Sequence, residues 1–331
     1  MSSLGRDCPL AYRYEPEALA EPSRLSAETL YVVGGLYGNP GALQAVRERA
    51  RREPAGAAIV FNGDFHWLDV DLGDFRMISE TVLSHHAIKG NVEAELASSD
   101  DSGCGCAYPD YVGDAVVERS NQIMTRLRAT AARFPDLVGR LGGLPMHLTA
   151  SVGGERVGIV HGDPESLAGW SLALEAMEPG DPAVRERTGW SGEPTAPARV
   201  EDWFRRAEVT VLACTHTGLP YAQDFLVAGR RRLVVNNGAA GIGNFAGTRF
   251  GVMTRLSSDP EPPADSLYGA TVGGVRCDAL PVRFDASRWL ARFLERWPPG
   301  SPGHGAYFAR ITGGGPLRPE QAARGTVTVS A

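Results

Sequence analysis

The sequence has no apolar run approaching the roughly 20 residues that a membrane-spanning helix needs, so no bilayer span is expected. Its first 22 residues are polar and broken by proline, which does not read as a secretory leader. It has no basic excess: 33 Lys and Arg stand against 39 Asp and Glu, a net charge of −6. The basic stripe of a nucleic-acid binder is therefore not expected. Cysteine is scarce and odd in number, five in all, dispersed apart from Cys104 and Cys106. That usage argues against a disulfide framework and for a reducing, cytoplasmic setting. No internal repeat is present. What the chain does have is 40 glycines, 23 prolines and 43% apolar residues over 331 positions. This is enough for one large core or two small ones, with many tight loops between short elements.

Apolar strand, polar loop and helical stretch alternate along the first half. TLYVV at 29–33 runs into Gly34-Gly35, a helical stretch follows at 41–52, and AAIVF at 57–61 ends at Asn62-Gly63-Asp64. A second helical stretch at 74–82 leads to a third ending at Lys89-Gly90-Asn91. Further strands are expected to end at His161, at Cys214-Thr215-His216 and at Asn236-Asn237-Gly238, with a hairpin pattern over 268–284 and an amphipathic helix over 287–297. The alternation argues an α/β class, in which ligands bind beyond the carboxyl ends of strands. The expected organisation is an irregular N-terminal arm over 1–27, a main domain over 28–285, and a C-terminal helix with an irregular tail over 286–331. Surface insertions are expected at about 94–116 and 178–198.

Five strand ends thus deliver Gly35 and Tyr37, Asp64, Asn91, His161 and His216 to one sheet edge. Carboxylate and amide oxygens suit harder divalent ions such as Mn or Fe(II), and imidazoles extend the range to Zn. Asp64, Asn91, His161 and His216 are accordingly the candidate ligands of one divalent transition metal.

In this order the motifs GLYGN at 35–39, GDFHWLD at 63–69, GNVE at 90–93, VHGD at 160–163, THTGLP at 215–220 and NNGAAG at 236–241 resemble the calcineurin-like metallophosphoesterases. The resemblance spans about 29–284 and implies a four-layer α/β/β/α sandwich. It also implies two adjacent metal positions. Three of the four ligands of one position fall on Gly35, Tyr37 and Gly218, which do not ligate in the usual way. All four of the other, Asp64, Asn91, His161 and His216, are suitable. The losses fall on one position and spare its neighbour, so a mononuclear site is expected. Two registers remain open at 214–216. His216 matches the first His of the family's last motif, with Leu219-Pro220 in step. In the rival register it matches the second, and Cys214 stands at the first.

The histidine that in the family helps protonate the leaving oxygen falls on Val92. His66, two residues beyond Asp64, is the candidate replacement as an acid–base group facing the vacated position. Tyr37, Arg119 and Asn121 are the candidate substrate-binding residues, the last two opening a basic helix. Cys104 and Cys106 are read as a loop tip, His85 and His86 as structural or exposed, and His304 and Tyr307 as a potential lid. The expected activity is metal-dependent hydrolysis of a small, anionic phosphoester, in a protein open to oligomerisation. A different metal-dependent reaction on the same scaffold, lyase or Fe-dependent, and a non-catalytic binding protein are the alternatives.

Overall fold

Every residue of the run Thr29–Val33 is buried, and successive side chains serve two different cores. Leu30 and Val32 pack between two sheets, whereas Tyr31 and Val33 pack beneath helices. A strand covered on both faces reads as a continuous apolar run for this reason.

The computed structural model describes residues 4–329. Its strands are β1 (Leu25–Ala27), β2 (Thr29–Val33), β3 (Ala58–Asn62), β4 (His86–Ile88), β5 (His147–Val152), β6 (Glu155–Val160), β7 (Val211–Cys214), β8 (Tyr221–Val227), β9 (Arg230–Asn236), β10 (Gly251–Ser257), β11 (Tyr268–Val272), β12 (Val275–Val282) and β13 (Ala323–Thr328). They form a seven-stranded sheet of order β1-β5-β6-β7-β9-β8-β13 and a six-stranded sheet of order β11-β12-β10-β2-β3-β4. Each sheet is mixed, with a parallel trio at the centre of one, β6-β7-β9, and at one edge of the other, β2-β3-β4. Val60, Ile88, Ile159, Val211 and Val235 are among the side chains filling the space between the sheets.

The outer face of the six-stranded sheet is covered by the helices Pro40–Arg52, Leu72–Val82, Asp114–Ala131 and Ala286–Arg296, through Val46, Phe75, Met124 and Phe293 among others. The helices Pro182–Thr188 and Pro197–Ala207 cover the seven-stranded sheet through Val184, Trp203 and Phe204. The result is the expected four-layer α/β/β/α sandwich. Four of these helices begin where the sequence places an Asx residue: Asn39, Asp71, Asp181 and Asp285 each accept from two backbone amides of the first turn. Such caps typically stabilise a helix by about 1 kcal/mol each. Among the described residues no helix is long and apolar enough to cross a membrane.

Both chain ends depart from the expected irregularity. The N-terminal segment forms two short 3-10 helices, Leu10–Tyr12 and Pro16–Ala20, and then β1, which pairs in parallel with β5 at the sheet edge. A three-residue strand is too short to carry a periodic signal. At the other end, the helix Pro302–Gly313 packs into the main core through Ile311, and β13 adds a strand beside β8. The β13 sequence ARGTVT holds too few apolar residues to announce a strand. The segment 178–198 contains the helix Pro182–Thr188, capped by Asp181, rather than loop alone. The segment 94–116 is not confined to the surface, since Cys104 and Cys106 are buried.

Candidate functional site

The parallel strands of both sheets end on the same side of the molecule. From β3 the chain turns through Gly63 and Asp64, both in the left-handed region at φ 77° and 56°. A Cβ on Gly63 would lie 2.6 Å from the His161 ring and 2.5 Å from the Gly90 amide, so only glycine allows the three loops to meet. Asp64 adopts that conformation with a side chain, a strain that recurs where geometry serves a site.

Glu93 fixes the two loops of this sheet together. Its fully buried carboxylate accepts from the amides of Asp64, Phe65 and Gly90, each at 2.9 Å. Burial, then the nearby Asp64 charge, pushes its carboxyl up to about 7 against these three donors. The opposite sheet is joined by His161, whose Nδ1 donates to the Asn62 carbonyl at the end of β3 (2.9 Å). The amides of Thr215 and His216 in turn donate to the His161 carbonyl, at 3.0 and 3.1 Å.

Around His161 Nε2 the remaining ligand atoms converge. Asn91 Oδ1 and His216 Nδ1 lie at 3.2 Å and Asp64 Oδ1 at 3.4 Å. A tetrahedral ion with bonds of about 2.1 Å spaces its ligands about 3.4 Å apart. The hydrogen bonds behind each ligand set its polarity. His161 Nδ1–H is taken by Asn62, and His216 Nε2 donates to the Cys106 carbonyl at 3.1 Å. Asn91 Nδ2 donates to the Cys104 carbonyl at 2.9 Å, which turns Oδ1 toward the cluster. The atoms that face one another are therefore all lone-pair bearers. Burial holds both imidazoles neutral, with pKa values lowered to about 4 for His161 and about 3 for His216, so the contact with Asp64 is not an ion pair. Burial also pushes the Asp64 carboxyl up to about 7. Neutral imidazoles with backbone-anchored N–H groups, beside a carboxylate and an amide oxygen, fit a divalent transition metal and its usual outer partners. Cys214 takes no part in the cluster: it is buried among Trp203 and Phe225 on the helical side of β7.

The cluster opens into a pocket of about 170 Å³. Tyr37, Trp67, Tyr108, Trp170 and Tyr307 wall it, and Arg310 reaches its rim. Trp67 donates to the Tyr307 hydroxyl at 2.7 Å, and Trp170 packs edge-on to His216. A larger groove of about 560 Å³, between Gln44, Arg288 and Arg292, lies on the helical side of the molecule and lacks any of the four ligands; size alone therefore does not locate the chemistry.

Beside the cluster, the expected vacancy is filled. A Cβ on Gly35 would lie 2.5 Å from the Tyr37 ring, so the phenol stands where a side chain at 35 would begin. Tyr37 is itself left-handed at φ 55°, and burial pushes its hydroxyl up to about 12, leaving it a proton donor at neutral pH.

Three expected roles are not met by the placement of the side chains. His66 does not face this space: its side chain is fully buried, Nδ1 meets Asp69 at 3.1 Å, Nε2 meets Ser79 at 2.9 Å, and the ring stacks on Phe75. With both nitrogens engaged it is a core residue of the helical layer. Asn121 accepts from the Cys104 amide and donates to the Leu4 carbonyl, each at 3.0 Å, and so ties the N-terminal segment to the cysteine loop. Arg119 lies along the helix Pro302–Gly313 near Gly305 and does not line the pocket. Tyr37 does line it, as does Tyr307 from the C-terminal segment. His304 stacks on Phe308 instead. The sequence reading missed Glu93 as a clamp, Cys106 and Trp170 as wall, and Arg310. For Glu93 alone a signal existed, its place three residues after a strand-ending glycine at a helix start.

No family profile and no curated protein sequence matches the chain. Solved structures do. A hypothetical protein from Pyrococcus horikoshii superposes with a TM-score of 0.54 at 16% identity, over 87% of this chain and 98% of that one. A metallophosphoesterase from Sphaerobacter thermophilus superposes with a TM-score of 0.51 at 15% identity, over 87% and 99%. The two face-to-face mixed sheets, with helices on both outer sides and the ligand-bearing loops at one edge, have the fold of the calcineurin-like metallophosphoesterases.

Proposed function

We propose that this protein is a hydrolase of a small phosphoester that works with a single divalent transition metal, Mn, Fe or Zn. One observation carries the reading: four ligand atoms, from Asp64, Asn91, His161 and His216, converge at ligand spacing with both imidazole N–H groups turned away to backbone carbonyls. A divalent ion bound there supplies Lewis acidity and an activated water. The chain's own residues do the rest. Asp64 offsets part of the ionic charge, the Asn62 and Cys106 carbonyls hold the imidazoles in their ligating tautomers, and Glu93 keeps the Asp64 and Asn91 loops in register. The Tyr37 ring occupies the adjacent position and leaves the site mononuclear. At about 170 Å³ the pocket is below the roughly 300–1,000 Å³ of drug-sized ligand sites, which favours a small substrate.

The test is elemental analysis of the purified protein together with turnover of a panel of phosphate mono- and diesters. One equivalent of metal and a turnover abolished by chelator are expected. Metal without turnover of any phosphoester would contradict the phosphoester assignment and favour another metal-dependent reaction on this fold; absence of metal would contradict both.

A further inference from the structure

Arg310 is the cation nearest the vacated half of the pocket. It sits on the helix Pro302–Gly313, one turn beyond Tyr307, so both side chains project from the same face toward the site. Its guanidinium is held by two neutral acceptors: Nε donates to the Gly243 carbonyl at 2.9 Å and Nη2 to the Gly218 carbonyl at 2.6 Å. Among the described residues no carboxylate pairs with it, whereas Arg206, Arg255, Arg292 and Arg296 each meet one or more. An arginine fixed by carbonyls alone keeps its full positive charge and several free donors.

The Tyr37 hydroxyl lies close to this guanidinium. The position of a Cβ built on Gly218 lies 3.5 and 3.6 Å from the two terminal nitrogens of Arg310 and 3.6 Å from the Tyr37 hydroxyl. Guanidinium and phenol hydroxyl thus lie close together on the Gly218 side of the pocket that Asp64, Asn91 and His216 also line.

We infer that Arg310, with the Tyr37 hydroxyl beside it, is the anion-binding element of this pocket and holds phosphoryl oxygens opposite the metal ligands. The inference rests on the phosphoester reading for its ligand class, but not on a reaction. It gives the pocket a fixed organic cation on the side where Gly35 and Gly218 supply no ligand. Arg310 would hold a substrate oxygen by a charge-assisted, geometrically directed pair of bonds. The competing explanation is that Arg310 only staples its helix to the loops at Gly218 and Gly243.

Calorimetric titration of inorganic phosphate into the metal-loaded protein separates the two, with metal content and thermal midpoint measured on each variant. Wild type is expected to bind phosphate. Arg310→Met is expected to bind about ten- to a hundredfold more weakly, the loss that follows from removing a charged hydrogen-bond donor. Arg310→Lys, which keeps the charge without the fork, should fall between them. Tyr37→Phe, which leaves the ring packing and the staple untouched, should weaken binding several-fold with metal and midpoint unchanged. Phosphate binding equal to wild type in Tyr37→Phe and in folded Arg310→Met, or no phosphate binding by metal-loaded wild type, would overturn the inference. Arg310-dependent phosphate binding without phosphoester turnover would leave the inference standing while the phosphoester hydrolase reading fails.

Discussion

His161 and His216 present bare ring nitrogens to each other at 3.2 Å, because each has spent its proton on a backbone carbonyl behind it. Two lone pairs at that distance repel unless a cation lies between them. Such an arrangement, unlike the mere nearness of two histidines, calls for a cation.

Replacement of a ligand should remove the metal. In His216→Ala and Asp64→Ala, bound metal should fall to a small fraction of the wild-type content, read by elemental analysis after dialysis against buffer. The fold should survive in His216→Ala, since that side chain is only half-buried. Full metal content in both variants would place the ion elsewhere.

Glu93 should matter through the loops it joins. In Glu93→Gln one acceptor oxygen becomes a donor facing a backbone N–H, among the three amides that Glu93 holds. A buried donor left without a partner costs about 1–3 kcal/mol, more where a charge was involved. Lost support behind metal ligands typically weakens affinity about ten- to a hundredfold. Denaturant midpoints and a competitive metal titration should show both losses together. A variant as stable as wild type and with unchanged affinity would contradict the clamp.

His66 should behave as a core residue. His66→Ala removes its contacts with Asp69 and Ser79 and its stack on Phe75, and leaves Asp69 buried without them. A loss of about 2–4 kcal/mol is expected, in the range of broken buried networks, while metal content stays at wild type. Wild-type stability with metal retained and turnover abolished would instead return His66 to the chemistry.

Gly35 and Tyr37 should be coupled. Gly35→Asp drives a side chain into the Tyr37 ring, 2.5 Å from its Cβ, and should destabilise by about 1–3 kcal/mol. Combined with Tyr37→Ala, much of that loss should disappear. Residues in contact give non-additive cycles of this size, and strict additivity would mean that the ring is free to swing away.

The four ligands were legible because each closes an apolar strand and follows, or lies one or two residues from, a glycine or small residue. Strand ends on one side of an α/β sheet can only meet at one edge. The layer order was legible for the same reason, since the runs 29–33 and 57–61 are apolar at every second position on both faces. The direction of a side chain just past such an end was not. Asp64 turns the backbone through the left-handed region, and two residues later His66 points into the helical layer instead of the pocket. Arg119 and Asn121 carry charge and polarity on a helix, but where they point is set by packing against the helix Pro302–Gly313 and by the Leu4 and Cys104 backbone. Arg310 lies 92 residues from the Gly218 carbonyl it binds. Only tertiary packing makes that contact, and no local pattern announces it.

The proposed function turns on one metal ion held by His161, His216, Asp64 and Asn91, with Tyr37 in place of a second. Metal quantification on the purified protein, joined to an anomalous-scattering map from its crystals, tests it most directly. About one equivalent of transition metal is expected, with a single anomalous peak bonded to His161 Nε2 and His216 Nδ1. Two peaks in a dinuclear cluster, or a peak away from these two nitrogens, would contradict it.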